Sequence, residues 1–201
     1  MAQFKLTKNE QKKQKDRLKM FVRYLPTLQL KKQQLQTEIR IIETRAAAVF
    51  EKKKQLETEF KSWIAVFGDS FRLNPEWLAI KQIRRWEGNI AGIRIPLFDG
   101  VDFVQPVYDL YLTPLWIDKA IVKMRDVIAL DMEIKVLNEQ ISVLNRELQT
   151  ATQRVNLFEK VKIPETKEII KKISVYLGDQ QTSEVVRGKI AKKKLTRTAG
   201  V

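Results

Sequence analysis

The sequence predicts a mainly α-helical fold: a long antiparallel two-helix coiled coil with a small mixed head that contains a short helix and a β-hairpin. Three observations lead there. Apolar residues keep a seven-residue period through two long stretches, the pattern of a coiled-coil seam. Between those stretches, residues 68–114 hold four of the seven glycines and four of the six prolines, so the chain has turn-forming sequence in which to reverse. All four tryptophans (Trp63, Trp77, Trp86, Trp116) fall within residues 63–116, which marks the middle of the chain as a compact head rather than a linker.

Residues 1–67 are the first long helix. One apolar series is Leu18, Leu25, Lys32, Ile39, Ala46, Lys53, Phe60 and Phe67; the other is Phe21, Leu28, Leu35, Ile42, Val49, Leu56 and Trp63. Lys32 and Lys53, the two polar members, are expected to lay their stems along the seam with the ammonium in water, or else to fix its register. Pro26 would cost about 3 kcal/mol in a helix interior, so a kink or the edge of a shorter first segment is expected there.

Residues 68–113 are the head. Asn74-Pro75-Glu76 reads as a helix start, with an Asn cap, a proline where the missing N–H costs nothing and an acid in the first turn. A short helix to about Trp86 is expected to follow. In IRIPLFDGVDF (93–103) the alternation of Ile93, Ile95 and Leu97, then Asp99-Gly100, then Val101 and Phe103 predicts a β-hairpin turning at Asp99-Gly100.

Thr113-Pro114 starts the second long helix, residues 114–184, by the same cap-then-proline logic. Its seam runs Val127, Leu130, Ile134, Leu137, Ile141, Leu144, Leu148, Ala151, Val155 and Phe158. Beyond a disturbance at Pro164, where a bend is expected, Ile169, Ile173 and Leu177 carry the stripe. Residues 185–201 are a basic tail, with Gly188 interrupting the terminal helix. Helices of some 50 residues span roughly 75 Å, and the 3.5-residue period implies a left-handed supercoil.

Charge follows this organisation. The net charge is +14. Residues 1–37 hold ten Lys/Arg against two Asp/Glu, residues 185–201 hold six against none, and everything between is balanced with 22 of each sign. If the ends lie side by side, the molecule has one basic tip, suited to an acidic or carbonyl-rich surface.

Composition also excludes chemistry. The chain has no cysteine and no histidine, which removes thiol nucleophiles, the usual zinc ligand sets and imidazole acid/base catalysis. Gly88-Asn89-Ile90-Ala91-Gly92 lacks the lysine and preceding strand of a phosphate-binding loop. Glu57 with Glu59, and Asp99 with Asp102, have no neighbouring group to perturb them and read as solvated or turn residues. No catalytic, cofactor-binding or metal-binding residue is expected. The longest run without a charged residue is the eight from Leu110 to Ile117, short of the roughly 20 a membrane-spanning helix needs. MAQFKLTKNEQKKQK has no apolar secretory core, so a reduced cytoplasmic setting is expected.

Two stretches go beyond generic coiled coil. NIAGIRIPLF (89–98) is similar to the Asn-Val-x-Gly-Val-x-x-Pro segment, and RVNLFEKVKIPETKEIIKKI (154–173) resembles the Arg-Val-Asn-Ala-Leu-Glu…Ile-Pro…Thr-Ile segment, of the central-stalk D subunit of V-type and A-type rotary ATPases. LTKNEQKKQKDRL and LQLKKQQLQTEI echo that family's basic opening and its Leu-Leu-Lys-x-Lys-Arg-Asp-x-Leu stretch. Leu6 stands where the family has a proline, and Leu25-Pro26-Thr27 replaces its Gly-His.

The resemblance implies a rotor shaft without catalytic activity of its own. It would carry torque between the ring of catalytic A and non-catalytic B subunits and the membrane ring, which moves protons or sodium ions. The F subunit and the C/d subunit that caps the membrane ring would be its other partners. The chain would be peripheral to the membrane, with no direct insertion and no bound nucleic acid. Candidate partner-binding residues are Ile93, Ile95, Leu97 and Phe98 in the hairpin, and Lys12, Lys13, Arg17, Lys192, Lys193 and Lys194 in the basic ends. The competing readings are a basic coiled coil that binds nucleic acid, for which the aromatics lie far from the basic ends, and a prefoldin-like chaperone, whose tips should be apolar rather than lysine-rich.

Overall fold

The computed structural model describes residues 4–67, 74–109, 111 and 113–198; the side chains of 63–67 and 196–198 lie outside the described set. In chain order the elements are α1 (Lys8–Phe67), a 3-10 turn (Pro75–Leu78), β1 (Ile80–Ile90), β2 (Ile93–Phe103), α2 (Ile117–Asn156), a π-helical segment (Leu157–Lys162) and α3 (Ile163–Thr198). The chain divides into two compact units, residues 31–150 and residues 1–30 with 151–201.

In the 31–150 unit, Arg45 pairs with Glu133 at 2.9 Å and Lys53 with Asp131 at 2.6 Å. Partner numbers fall on α2 as they rise on α1, so the helices run antiparallel. Leu35, Ile39, Ile42 and Val49 of α1 and Leu137 and Leu144 of α2 are buried. Each is a predicted seam position, and no predicted seam residue with a described side chain is exposed. Burial of each such aliphatic side chain stabilises by about 1.5–3 kcal/mol. Trp63 and Phe67, the last seam positions of α1, have side chains outside the described residues, as do residues 68–73 at the start of the head.

The head departs from expectation in two ways. Asn74 does cap, accepting from the Glu76 N–H at 3.0 Å, but the helix is a single 3-10 turn, and the segment expected to continue it to Trp86 is strand β1. Pairing along all of β2 satisfies the backbone groups that a helix would have satisfied internally. The reversal is also elsewhere. Ile90 pairs with Ile93, and the two residues between, Ala91 (φ 53°) and Gly92 (φ 83°), both have positive φ, which is the type I′ geometry that matches strand twist. Asn89 Oδ1 closes the turn by accepting from the Gly92 N–H at 2.9 Å. Asp99-Gly100 lies inside β2: Arg84 pairs with Gly100 and Arg85 with Phe98, so Asp99 is the extra residue of a β-bulge.

α2 begins at Ile117, three residues past the predicted Pro114, with Asp118 in its first turn. In the other unit, Thr7 caps α1, its hydroxyl accepting from the Glu10 N–H at 3.3 Å. α1 runs unbroken through Pro26, which is exposed. Phe21 of α1 meets Phe158 with ring centroids 5.2 Å apart. The disturbance at Pro164 is the π segment that immediately precedes α3. Across it the seam takes two steps of four, from Phe158 to Lys162 and on to buried Thr166, where a heptad would alternate three and four. One extra residue is what a single π turn absorbs. α3 runs through Gly178 and Gly188 to Thr198, so Gly188 does not interrupt it and the basic segment after residue 185 is helical.

Candidate functional site

No group of acidic side chains able to hold a metal ion exists among the described residues, and none of their helices is long and apolar enough to cross a membrane. What the fold presents is surface, in two regions.

The first is the head. The hairpin is tied to α2 along its length: Gln140 Nε2 donates to Pro96 O at 2.6 Å, and Arg85 pairs with Glu139 at 3.1 Å. Arg125 fixes the hairpin base. Its Nη2 donates to Trp77 O at 2.8 Å, before β1, and to Val104 O at 2.5 Å, after β2, and its guanidinium lies 5.1 Å from the Phe103 ring centroid. Of the four hairpin candidates, Ile95 is 1 % exposed and serves packing, whereas Ile93, Leu97 and Phe98 are partly exposed. Gly88, paired with Ile95, leaves room for Leu97; a Cβ there would sit 2.4 Å from Leu97 Cδ1. Trp86, which pairs with Leu97, is 60 % exposed.

Past the hairpin, Tyr108 packs tilted against Trp77, with centroids 5.1 Å apart and ring planes at 52°, and hydrogen-bonds Asp118. That bond, with some desolvation, raises the phenol above its ordinary pKa. Val107, Tyr111 and Leu115 are almost wholly exposed. Sequence reasoning misses these three as surface; for Tyr111 and Leu115 the signal is the uncharged run from Leu110 to Ile117, which bears on contact surface as well as on membranes.

The second region is the unit made of the two chain ends, which holds 20 Lys/Arg against seven Asp/Glu, while the 31–150 unit holds 18 against 17. Lys12, Lys13 and Arg17 are exposed on α1, and Lys192, Lys193 and Lys194 on α3. They do not form one patch. A groove lined by Lys8, Gln11, Leu177 and Gly178 shows that the start of α1 lies against Leu177. Lys192 is 15 residues further on, roughly 22 Å along a helix, and every residue from Gly178 to Leu195 is exposed. The terminal helix therefore projects past the start of α1. Beside Arg17, a second cleft of about 490 Å³ is lined by Phe4, Lys5, Phe21, Lys162 and Thr166; Gln14, 6 % exposed, donates to Glu10 there at 2.8 Å.

The family model for the ATP synthase D subunit matches residues 10–193. Curated relatives include the V-type ATP synthase D subunit of Borreliella burgdorferi, 50 % identical over 197 residues that cover 98 % of this chain and 97 % of that one. The protein of the same name from Chlamydia trachomatis serovar L2 is 32 % identical over 196 residues, covering 96 % and 97 %. That of Chlamydia pneumoniae is 34 % identical over 196 residues, covering 96 % and 94 %.

Proposed function

Since this chain belongs to the ATP synthase D-subunit family, we propose that it is the central rotor shaft of a V/A-type rotary ATPase. It transmits torque between the catalytic A/B ring and the membrane ring that moves protons or sodium ions, and it has no catalytic role of its own. The observation that carries the reading is the antiparallel pairing of α1 with the helices that follow the head, over a heptad seam with no exposed member among the described side chains. Close-packed interfaces such as the seam of residues 31–150 deform little, and a shaft needs such a stretch to pass torque on.

Coupling follows from differential contact. An asymmetric shaft offers each catalytic interface a different face as it turns, and biases each toward a different state by the difference in contact free energy. The projecting basic end of α3, with Lys192, Lys193 and Lys194, and the start of α1, with Lys12, Lys13 and Arg17, enter the A/B ring. There a broad electrostatic attraction holds the shaft without locking one angle. Ile93, Leu97 and Phe98 of the hairpin contact the F subunit, and the head sits on the C/d subunit, so the chain is peripheral to the membrane on its cytoplasmic side. A nucleic-acid-binding or prefoldin-like role has no support from a family match over residues 10–193.

Reconstitution tests this. Complexes assembled without the chain should lose ATP-driven ion transport, and adding it back should restore transport together with rotation of a probe fixed to the head. Full transport in its absence, or a probe that stays still during ATP hydrolysis, would refute the shaft.

A further inference from the structure

Several weaknesses coincide in the unit built from the two chain ends. Leu157–Lys162 is wound as a π segment, with the Ile163 N–H donating to Phe158 O five residues back. Pro164 follows at once and, having no N–H, leaves the Lys160 carbonyl without its usual helical donor. No residue of the segment is buried, and Leu157 and Val161 are 44 % and 48 % exposed. The opposite helix is weakened in the same place. Phe21, which meets Phe158 ring to ring, is five residues before Pro26, which removes the donor for Val22 O inside α1. No residue is buried between Gln14 and Leu35 on α1, nor between Val155 and Thr166 on the other side.

We propose that this stretch, Phe21–Pro26 of α1 with Leu157–Pro164, is a compliant joint at which the helix pair yields in twist and bending before the closely packed seam of residues 31–150 does. A helix resists deformation through its i→i−4 ladder and through side chains locked into the facing helix. Here both supports are reduced, in both helices, around one aromatic contact. A π turn also deforms without unwinding, because it exchanges i→i−5 for i→i−4 bonds and so changes partners instead of losing them. Thr166 closes the far side of the joint: it is buried, and its hydroxyl donates to Lys162 O at 2.6 Å. The joint's use as a torsional spring rests on the shaft reading; its compliance does not.

Amide hydrogen exchange on the full chain tests it. Amides of residues 157–166 should exchange at least about tenfold faster than those of 134–150, which lie mid-helix beside buried Val136, Leu137 and Leu144. Pro164→Ala restores the missing donor. Deleting Lys160 takes out of the segment the one residue by which a π turn exceeds an α turn. Each should slow exchange across 157–166 by about tenfold or more while leaving 80–103 unchanged. Equal protection of the two stretches in the natural chain, or unchanged exchange in the variants, would overturn the joint. Circular dichroism identifies a variant that has lost helix, and the other variant then decides. A chain that drives no rotation but keeps the exchange contrast would sink the shaft and spare the joint.

Discussion

Lys53 shows how a single side chain can look like an error in the sequence and be satisfied in the fold. It occupies a seam position, yet its ammonium holds Asp131 at 2.6 Å and Glu57 at 3.3 Å. The hydrogen bond to Asp131 outweighs desolvation and holds the lysine above its ordinary pKa. A base raised in the folded state contributes stability that is complete below its unfolded pKa, about 10.4, and that is lost as pH rises through the folded value. The natural chain should therefore lose thermal stability above about pH 10.4 more steeply than Lys53→Met, by about 1 kcal/mol at most because Asp131 is 40 % exposed. Parallel melting curves for the two proteins from neutral to alkaline pH check this; identical pH dependence would show that the pair contributes nothing. Gly88 is the reverse case, a residue whose absence of side chain is required. Alanine ordinarily outperforms glycine in a strand by roughly 0.5–1 kcal/mol, but its Cβ would meet Leu97 Cδ1 at 2.4 Å. Gly88→Ala should destabilise the protein by about 1–3 kcal/mol in denaturant titration, and a gain in stability would mean that Leu97 moves aside freely.

At the scale of elements, the hairpin is the part the chain specifies least well on its own. Its turn places Ala91 at φ 53°, a conformation that costs an alanine roughly 1–2 kcal/mol and that asparagine tolerates. Ala91→Asn should stabilise the hairpin by about 0.5–1 kcal/mol, and Gly92→Ala, at φ 83°, should weaken it by a comparable or larger amount. Both effects are readable as changes in amide exchange along β1. The same turn explains why its position is not legible in the sequence: Asp99-Gly100 is the stronger turn dipeptide, but it forms a bulge gripped by Arg84, which reaches Asp99 at 3.2 Å and Asp102 at 2.7 Å. A Cβ at Gly100 would lie 2.6 Å from Arg84 Nη2, so a side chain there would displace the guanidinium from this grip. β1 reads as helix in the sequence because it is exposed along nearly its whole length, so neither face selects apolar residues and no alternation appears; only its pairing with β2 distinguishes it. The long helices are legible because a seven-residue period over dozens of residues has one physical solution. The π segment is visible only as a change of stripe at Pro164, since one inserted residue alters spacing without altering composition. Of the hairpin candidates, Ile95 stands on hydrophobicity alone, which marks a core residue as readily as a contact; exposure, which singles out Trp86 and Leu115, is a property of the fold.

At the scale of the whole chain, charge is the feature that sequence and fold describe together. Nearly all of the excess positive charge belongs to the unit made of the two termini, and the 31–150 unit is close to neutral. A neutral surface docks through shape and apolar contact, while a unit with so large an excess of lysine and arginine is steered by long-range attraction, which screening weakens over a Debye length of about 8 Å at physiological salt. The two regions should thus differ in how their partners respond to ionic strength. Lys12→Glu with Lys13→Glu places two reversals on an exposed face of α1, away from any predicted seam position, so the fold should keep its thermal stability within about 0.5 kcal/mol. Association with the A/B ring should slow by roughly tenfold at low salt and converge on the natural rate as salt rises. Binding of the F subunit, which we assign to the head, should keep its rate in the same variant at every salt concentration. Stopped-flow association of the double variant with each partner, across a salt series, separates these outcomes. Equal slowing toward both partners would mean that the basic ends act through the fold as a whole, and no slowing toward the ring would remove the electrostatic part of the mechanism.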